Sequence, residues 1–194
     1  MKRESTTARH LELEYKAEFL EKAVADVLFT HCLSELPWRE ELVKMFGQTF
    51  IAPRLSCAIA DEGCIYRYRG SQTESIRFTQ ELDSLRWKLQ NQLKVPFNYI
   101  LATQYRNGND YVGWHADDER DLVPGQTIAN ISLGEARDFR IKSRDGSFDE
   151  RVITDHGSLL LMHGDILHTT KHSLLRTRRS IGSRVVLSFR EVRR

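Results

Sequence analysis

The sequence predicts an α+β fold in which a helix-bearing N-terminal half packs on a C-terminal β core. Three observations predict it. Two stretches of the first half carry apolar residues at helical spacing. From Phe97 onward the chain turns into short β-rich segments separated by turn residues. The length of 194 residues, with 40 % hydrophobic and 29 % charged residues and only 4 prolines, suits one globular unit rather than a disordered chain. Short strands at this spacing read as a double-sheet jelly roll or a barrel. Pro96 divides the chain into residues 1–96 and 97–194, two parts of one compact unit.

Residues 1–10 are polar and expected to fray. Leu11, Leu13 and Tyr15 alternate with Glu12, Glu14 and Lys16, a strand pattern. Phe19, Leu20, Ala23, Val24, Val27, Leu28 and Phe29 predict a helix, with Glu21, Lys22 and Asp26 opposite and Pro37 beyond its end. Phe46-Gly47-Gln48 is expected as a tight hairpin between Leu42–Met45 and Thr49–Ile51. Pro53-Arg54-Leu55 and Asp61-Glu62-Gly63 mark loops. Ile65 to Gly70 alternates strictly, setting Tyr66 and Tyr68 on one face and Arg67 and Arg69 on the other. A second helix is predicted from Thr79 to Leu93 on the stripe Leu82, Leu85, Leu89 and Leu93, with Trp87 off it and Pro96 after it. The β core is expected in Tyr99–Tyr105, Thr127–Leu133, Phe139–Ile141, Val152–Ile153, Ser158–Met162 and Arg184–Phe189.

A formal net charge of +2 permits nucleic acid as a partner without arguing for it. Cys32, Cys57 and Cys64 are odd in number and form no C-x-x-C pair, so neither a disulfide framework nor a zinc knuckle is expected. The polar start and the lack of an apolar run of about 20 residues predict neither a signal peptide nor a membrane span. The expected setting is intracellular: cytoplasmic in a bacterium, nuclear in a eukaryote.

The candidate chemistry starts at Gly113-Trp114-His115-Ala116-Asp117-Asp118-Glu119. A His and a carboxylate two residues apart on an extended backbone project to one side. Two such ligands, with a third from elsewhere, make the 2-His-1-carboxylate facial triad that holds Fe(II) for oxygen chemistry. By spacing alone the third ligand is open among His163, His168 and His172. Arg184, Val186, Ser188 and Arg190 share one face of the last strand, so an otherwise apolar strand carries a guanidinium at each end. Arginine forks bind carboxylates, and two of them beside an open Fe(II) site suggest a 2-oxo-acid cosubstrate.

Taken in order, His115-Ala-Asp117-Asp118-Glu119, Phe97-Asn-Tyr-Ile-Leu-Ala-Thr-Gln-Tyr105-Arg-Asn-Gly, His156-Gly-Ser-Leu-Leu-Leu-Met162 and Arg184-Val-Val-Leu-Ser-Phe-Arg190 resemble the AlkB family of 2-oxoglutarate/Fe(II) dioxygenases. Met45-Phe46-Gly47, Ala52-Pro53-Arg54 and Tyr66-Arg67-Tyr68-Arg69-Gly70 are similar to the nucleotide-recognition lid of its double-strand DNA repair members. The resemblance implies a double-stranded β-helix core carrying an N-terminal lid. It implies His172 as the third ligand, with Fe(II), 2-oxoglutarate and O2 as cofactor and cosubstrates. Arg184 would pair with the distal carboxylate, Arg190 would approach the C1 end, and Tyr105, Thr103 and Ser188 would complete that site. The family usually has Asn at the positions of Thr103 and Val186, so two cosubstrate amides are missing. The implied activity is oxidative removal of N-alkyl groups, as in 1-methyladenine and 3-methylcytosine, from DNA flipped out of its stack. Formaldehyde, succinate and CO2 would be released by a monomer. The same chemistry on RNA or protein, or a damage-binding module, are the competing readings. Tyr68 would stack on the base, Tyr66 would touch base or backbone, and Asp118 and Glu119 would favour a cationic base. Phe46 would fill the gap in the stack. Arg54, Arg67, Arg69 and the cluster Arg176, Arg178 and Arg179 would meet phosphates.

Overall fold

A computed structural model of the chain describes residues 13–45, 47–68, 71, 72 and 74–193, with backbone alone at Lys44, Met45, Tyr68, Ser71 and Gln72. The elements are β1 (Leu13–Lys16), α1 (Lys22–Glu35), β2 (Arg39–Met45), β3 (Gln48–Ala60), β4 (Arg67–Tyr68), β5 (Ser71–Gln72), β6 (Ser75–Ile76), α2 (Gln80–Leu93), β7 (Tyr99–Tyr105), β8 (Val112–His115), β9 (Thr127–Gly134), β10 (Arg137–Ser143), β11 (Asp149–Thr154), β12 (Ser158–His163), α3 (Ile166–Thr169), β13 (Thr170–Leu174) and β14 (Arg184–Arg190). A large sheet runs β1-β12-β9-β14-β7-β3-β2, with the short β6 parallel to β3, and a smaller one runs β11-β10-β13-β8. Two such sheets are the double-sheet jelly roll the sequence predicts.

Strand periodicity gives the large sheet two different faces. Ile100, Ala102, Ala129, Ile131, Leu133, Val185, Leu187 and Phe189 form an apolar face that packs under the helices. Their neighbours one position away turn toward the small sheet and line the cavity described below. The helices cover the apolar face with narrow stripes: Ala25, Leu28 and Cys32 from α1, and Leu82, Leu85 and Leu89 from α2. Each leucine buried this way contributes about 2 kcal/mol. Thr79 caps α2 by accepting from the Leu82 N–H, and Lys94 closes it in the left-handed region. Trp87 is exposed, as its place off the stripe requires.

Several expectations change. Helix α1 starts at Lys22, so Val24 and Val27 stand exposed instead of joining the core. Residues 53–55 are not a loop but lie within β3. The β2/β3 pairing slips between Glu40 and Leu42, opposite Ala52 to Arg54, so Pro53 sits at an irregularity that tolerates its missing N–H. Pro96 is not a seam in the β structure, because β3 pairs with β7 and β1 pairs with β12. Among the described residues of the 65–70 stretch, Ile65 to Tyr68, only Arg67 and Tyr68 form a strand. Phe46 and Arg69 lie outside the described residues. Strand β13, absent from the sequence expectations, is polar along most of its length.

Gly134 at the end of β9 has φ +84, and a Cβ there would meet the Ser183 carbonyl and lie 2.7 Å from a Phe29 ring carbon. Its N–H donates to His156 Nδ1, whose Nε2 side meets Asp26 of α1. Gly134→Ala should therefore cost about 2–4 kcal/mol of stability, read as a lower urea midpoint. An unchanged midpoint would mean that β9 and α1 can part without loss.

Candidate active site

The small sheet brings the histidines together. Strand β13 pairs with β8 so that His172 is the direct cross-strand partner of His115, with ring centroids 4.2 Å apart. Asp117 follows two residues beyond His115. One ligand atom from each of His115, Asp117 and His172 lies within 4.8 Å of the others. The other two candidates point elsewhere. His163 bonds Thr127 near Glu14, and His168 is exposed on the short α3. Phe139 of β10 stacks on His172 at 5.3 Å and fixes its ring.

The donors fit a divalent metal. His115 Nδ1 is 2.9 Å from the Gly113 carbonyl, which calls for the proton on Nδ1 and leaves the Nε2 lone pair for a metal. Asp117 Oδ1 is enclosed without a hydrogen-bond partner among the described residues, and the His115 and His172 Nε2 atoms stand 3.8 Å from the Asp117 carboxylate, too far to hydrogen-bond it. Burial, then the neighbouring His115, pushes the His172 pKa down to about 3, so the imidazole is neutral, the form that ligates. Burial alone would raise the Asp117 pKa, but the Arg190 cation and the two histidines outweigh it and hold the carboxyl at about 2.

Arg190 organises this end. Its Nη2 donates to Asp117 Oδ2 at 3.1 Å and its Nη1 to the Tyr66 hydroxyl, with Glu119 Oε2 at 3.9 Å. Tyr66 packs on Tyr99 with ring centroids 4.8 Å apart. Burial raises the Glu119 pKa, and the Asp117 charge raises it further against the pull of Arg190.

A cavity runs from the triad along the inward face of the large sheet. Register sets its wall in rows. Thr103, Val186 and Ser132 are cross-strand neighbours, then Leu101, Ser188 and Asn130, with Tyr105 and Arg184 paired at the end away from the triad. Arg184 is 2 % exposed. Its four Nη hydrogens meet four acceptors: Ser132 Oγ, Thr154 Oγ1, and the carbonyls of Thr154 and Glu135. Its Nε–H and the Asn130 amide nitrogen are enclosed donors without a hydrogen-bond partner among the described residues. Such donors beside a fixed guanidinium fit a dianion such as 2-oxoglutarate. Burial pushes the Tyr105 phenol up, so its hydroxyl stays a donor beside them.

The sequence expectations for the substrate side fare differently. Arg54 does not face phosphate: it is 5 % exposed, reaches the cavity wall and pairs with Glu41 at 2.9 Å. Tyr66 is 2 % exposed with its hydroxyl on Arg190, so it does not reach a substrate backbone. Asp118 is exposed and paired with Arg144 at 2.8 Å, away from the cavity lining. Glu119 belongs to the Arg190 cluster. Arg67 pairs with Asp121 at the surface. The Tyr68 side chain lies outside the described residues. Sequence reasoning missed Glu41 and Asn130. Glu41 lay outside any motif, whereas Asn130 could have been found as the polar position facing in from an otherwise apolar strand.

A family model described as the 2OG-Fe(II) oxygenase superfamily matches residues 12–190. The mouse protein named DNA oxidative demethylase ALKBH2 is 31 % identical over 95 % of this chain and 82 % of its own length. The chain belongs to the 2OG-Fe(II) oxygenase superfamily, among its AlkB-like members. It is a dioxygenase whose cofactor is Fe(II) and whose cosubstrates are 2-oxoglutarate and O2. The human ALKBH2 is also 31 % identical, over 95 % of this chain and 75 % of its own length. The mouse alkB homolog 3, an alpha-ketoglutarate-dependent dioxygenase, is 28 % identical over 90 % of the chain and 64 % of its own length. Among solved structures, OsALKBH1 superposes with a TM-score of 0.63 at 15 % identity, covering 95 % of this chain and all of that one. A Pseudomonas putida prolyl-4-hydroxylase gives 0.58 at 19 %, covering 95 % and 94 %. Both likenesses are of fold.

His172→Ala should abolish Mn(II) or Fe(II) binding measured by calorimetry, while His168→Ala keeps it. The reverse result would remove His172 from the site. In metal-free protein, the folded state refuses a proton at His172 that the unfolded chain accepts below its ordinary pKa of 6.5, down to about 3. The unfolded state then binds more protons, so stability falls as pH drops through that window, by up to about 1.4 kcal/mol per pH unit. Between pH 7 and 5, His172→Phe should lose less stability than the wild type in urea titrations; equal losses would place this proton elsewhere.

Proposed function

We propose that this chain removes N-alkyl groups from DNA bases by oxidative demethylation, on lesions of the 1-methyladenine and 3-methylcytosine type. The observation that carries the chemistry is the convergence of His115, Asp117 and His172 at one end of a cavity walled by Arg184 and Arg190. The substrate class is supported by the relatives named DNA oxidative demethylase, which align over 95 % of the chain. It is also supported by the β2/β3 arm, whose Leu42, Phe50 and Ile51 are exposed at 61 %, 48 % and 58 %. Leu42 and Ile51 are cross-strand partners, so the arm presents an apolar surface that no core covers.

When bound, the iron with 2-oxoglutarate and O2 supplies the oxidising power that turns a methyl C–H into C–OH, giving succinate and CO2. The protein's part is binding, orientation and exclusion of water. Arg184, through Nε–H, and Tyr105, through its hydroxyl, hold the distal carboxylate. Arg190 keeps Asp117 ionised and in place, and Tyr66 and Glu119 brace Arg190. Ser188 and Thr103 line the cosubstrate's flank, and Val186 gives it an apolar contact. The hydroxymethylated base then expels formaldehyde without further help, because nitrogen–CH2OH groups collapse in water. Exposed Arg178 and Arg179 on the loop before β14 offer phosphate contacts, and Phe46, next to Gly47 in the sequence, is assigned to filling the stack.

With Fe(II), 2-oxoglutarate and air, the protein should release formaldehyde from 1-methyladenine in single-stranded and duplex DNA, and none from unmethylated strands. An RNA strand run alongside ranks the substrates. No formaldehyde from either DNA would overturn the proposal. Ile51→Ser should leave stability within about 0.5 kcal/mol and lower duplex turnover several-fold more than single-strand turnover. Equal effects on both would separate the arm from the duplex.

A further inference from the structure

The cavity holds one amide side chain among the described residues that line it, Asn130 of β9. Asparagine offers one acceptor oxygen and two N–H donors. The Ser188 hydroxyl donates to Asn130 Oδ1 at 2.6 Å across the β9/β14 ladder, where the two residues are direct partners. With its oxygen engaged there, the amide turns its nitrogen away from Ser188. That nitrogen is enclosed and has no hydrogen-bond partner among the described residues. A buried donor left unpaired is unfavourable, so its retention calls for an acceptor in the cavity.

We propose that Asn130 is a cosubstrate-binding residue that donates from Nδ2 to a carboxylate of 2-oxoglutarate, with Ser188 as its positioning residue. The proposal rests on the reading of this cavity as the 2-oxoglutarate site. Its place in the register supports it. Asn130 and Ser188 sit two positions from Arg190 and four from Arg184 along the shared face, so an anion held between the two guanidiniums passes Asn130. The Thr103–Val186–Ser132 row carries no amide, and Val186 offers no hydrogen bond at all. The adjacent row, Leu101–Ser188–Asn130, supplies the amide instead, on β9. Hydrogen-bonding capacity removed from one row of the wall is present in the next. This gives a direct account of how a wall with Thr103 and Val186 can still hold a dianion.

The test is calorimetric titration of 2-oxoglutarate into the full chain loaded with Mn(II), with Mn(II) affinity and thermal midpoint measured on the same samples. Asn130→Leu keeps the bulk and removes the donor. Asn130→Ala removes both, and serves if the leucine variant does not fold. Asn130→Asp keeps the oxygen that accepts from Ser188 but sets a negative charge against the ligand. For a ligand donor, Asn130→Leu and Asn130→Ala should weaken 2-oxoglutarate about tenfold or more, the ratio expected for a hydrogen bond to a charged group. Asn130→Asp should be weaker still, and Mn(II) affinity should not change. If Asn130 merely steadies Ser188, Asn130→Asp should be the mildest variant, and that order would overturn the proposal. So would Kd values within twofold of wild type, or losses that track lost Mn(II). Wild-type protein that takes up Mn(II) but no 2-oxoglutarate would sink the reading of the cavity, and the assignment of Asn130 with it.

Discussion

The buried pair of Arg190 and Asp117 is the interaction on which the site depends. Both side chains are almost fully enclosed, at 3 % and 4 % exposure. Taking a carboxylate this far from water costs several kcal/mol unless a countercharge is fixed beside it. Without Arg190, burial would push the Asp117 pKa up and weaken it as a ligand. Without Asp117, Arg190 would be a buried charge with weaker company. Glu119 has Asp117 and Arg190 close by, and burial, with the Asp117 charge, raises its pKa against the pull of Arg190. The outcome is an anionic Asp117 beside a neutral His172, donors a divalent metal takes.

Strand β14 makes this possible because it is an interior strand, paired with β7 on one side and β9 on the other. Its odd-numbered residues are wholly apolar and seal the helix-facing layer; its even-numbered residues carry the function. Strand β3 divides labour along its length instead. It begins exposed at Gln48–Ile51 and ends buried at Ser56–Ala60. One continuous strand therefore forms the outer arm, passes Arg54 through the cavity wall and anchors in the sheet. The arm and the cavity are parts of a single backbone segment, which fixes their distance from one another.

How much of this was legible follows from which patterns have one cause. The stripe of α2 and the alternation along β14 follow from one apolar buried face each, which leaves a clean period, while β12 is buried on both faces and reads as a continuous apolar run. His115 and Asp117 were readable because they are close in sequence, and the arginines because charge is rare in an interior strand. Strand β13 was not readable: Thr170, His172 and Ser173 are buried for polar reasons, which hydrophobicity does not mark. Pro53 signalled a loop because the register slip that accommodates it depends on the partner strand. Tyr66 alternates correctly with its neighbours, but the strand is two residues long, and the chain enters it from inside the Arg190 cluster. His172 stood level with His163 and His168 by spacing; only the β8/β13 register separates them.

That assembly has a consequence for the order of events during synthesis. The contacts that complete the site join residues 73 and 124 positions apart, Arg190 to Asp117 and Arg190 to Tyr66, and Arg190 closes β14, the last strand in chain order among the described residues. Long-range closures of this kind come late. A nascent chain still emerging from the ribosome carries His115 and Asp117 without the partners that ionise and enclose them. The enclosed, ionised form of the site therefore waits on the docking of β14 between β7 and β9. The topology thus ties the ionised ligand set to closure of the large sheet.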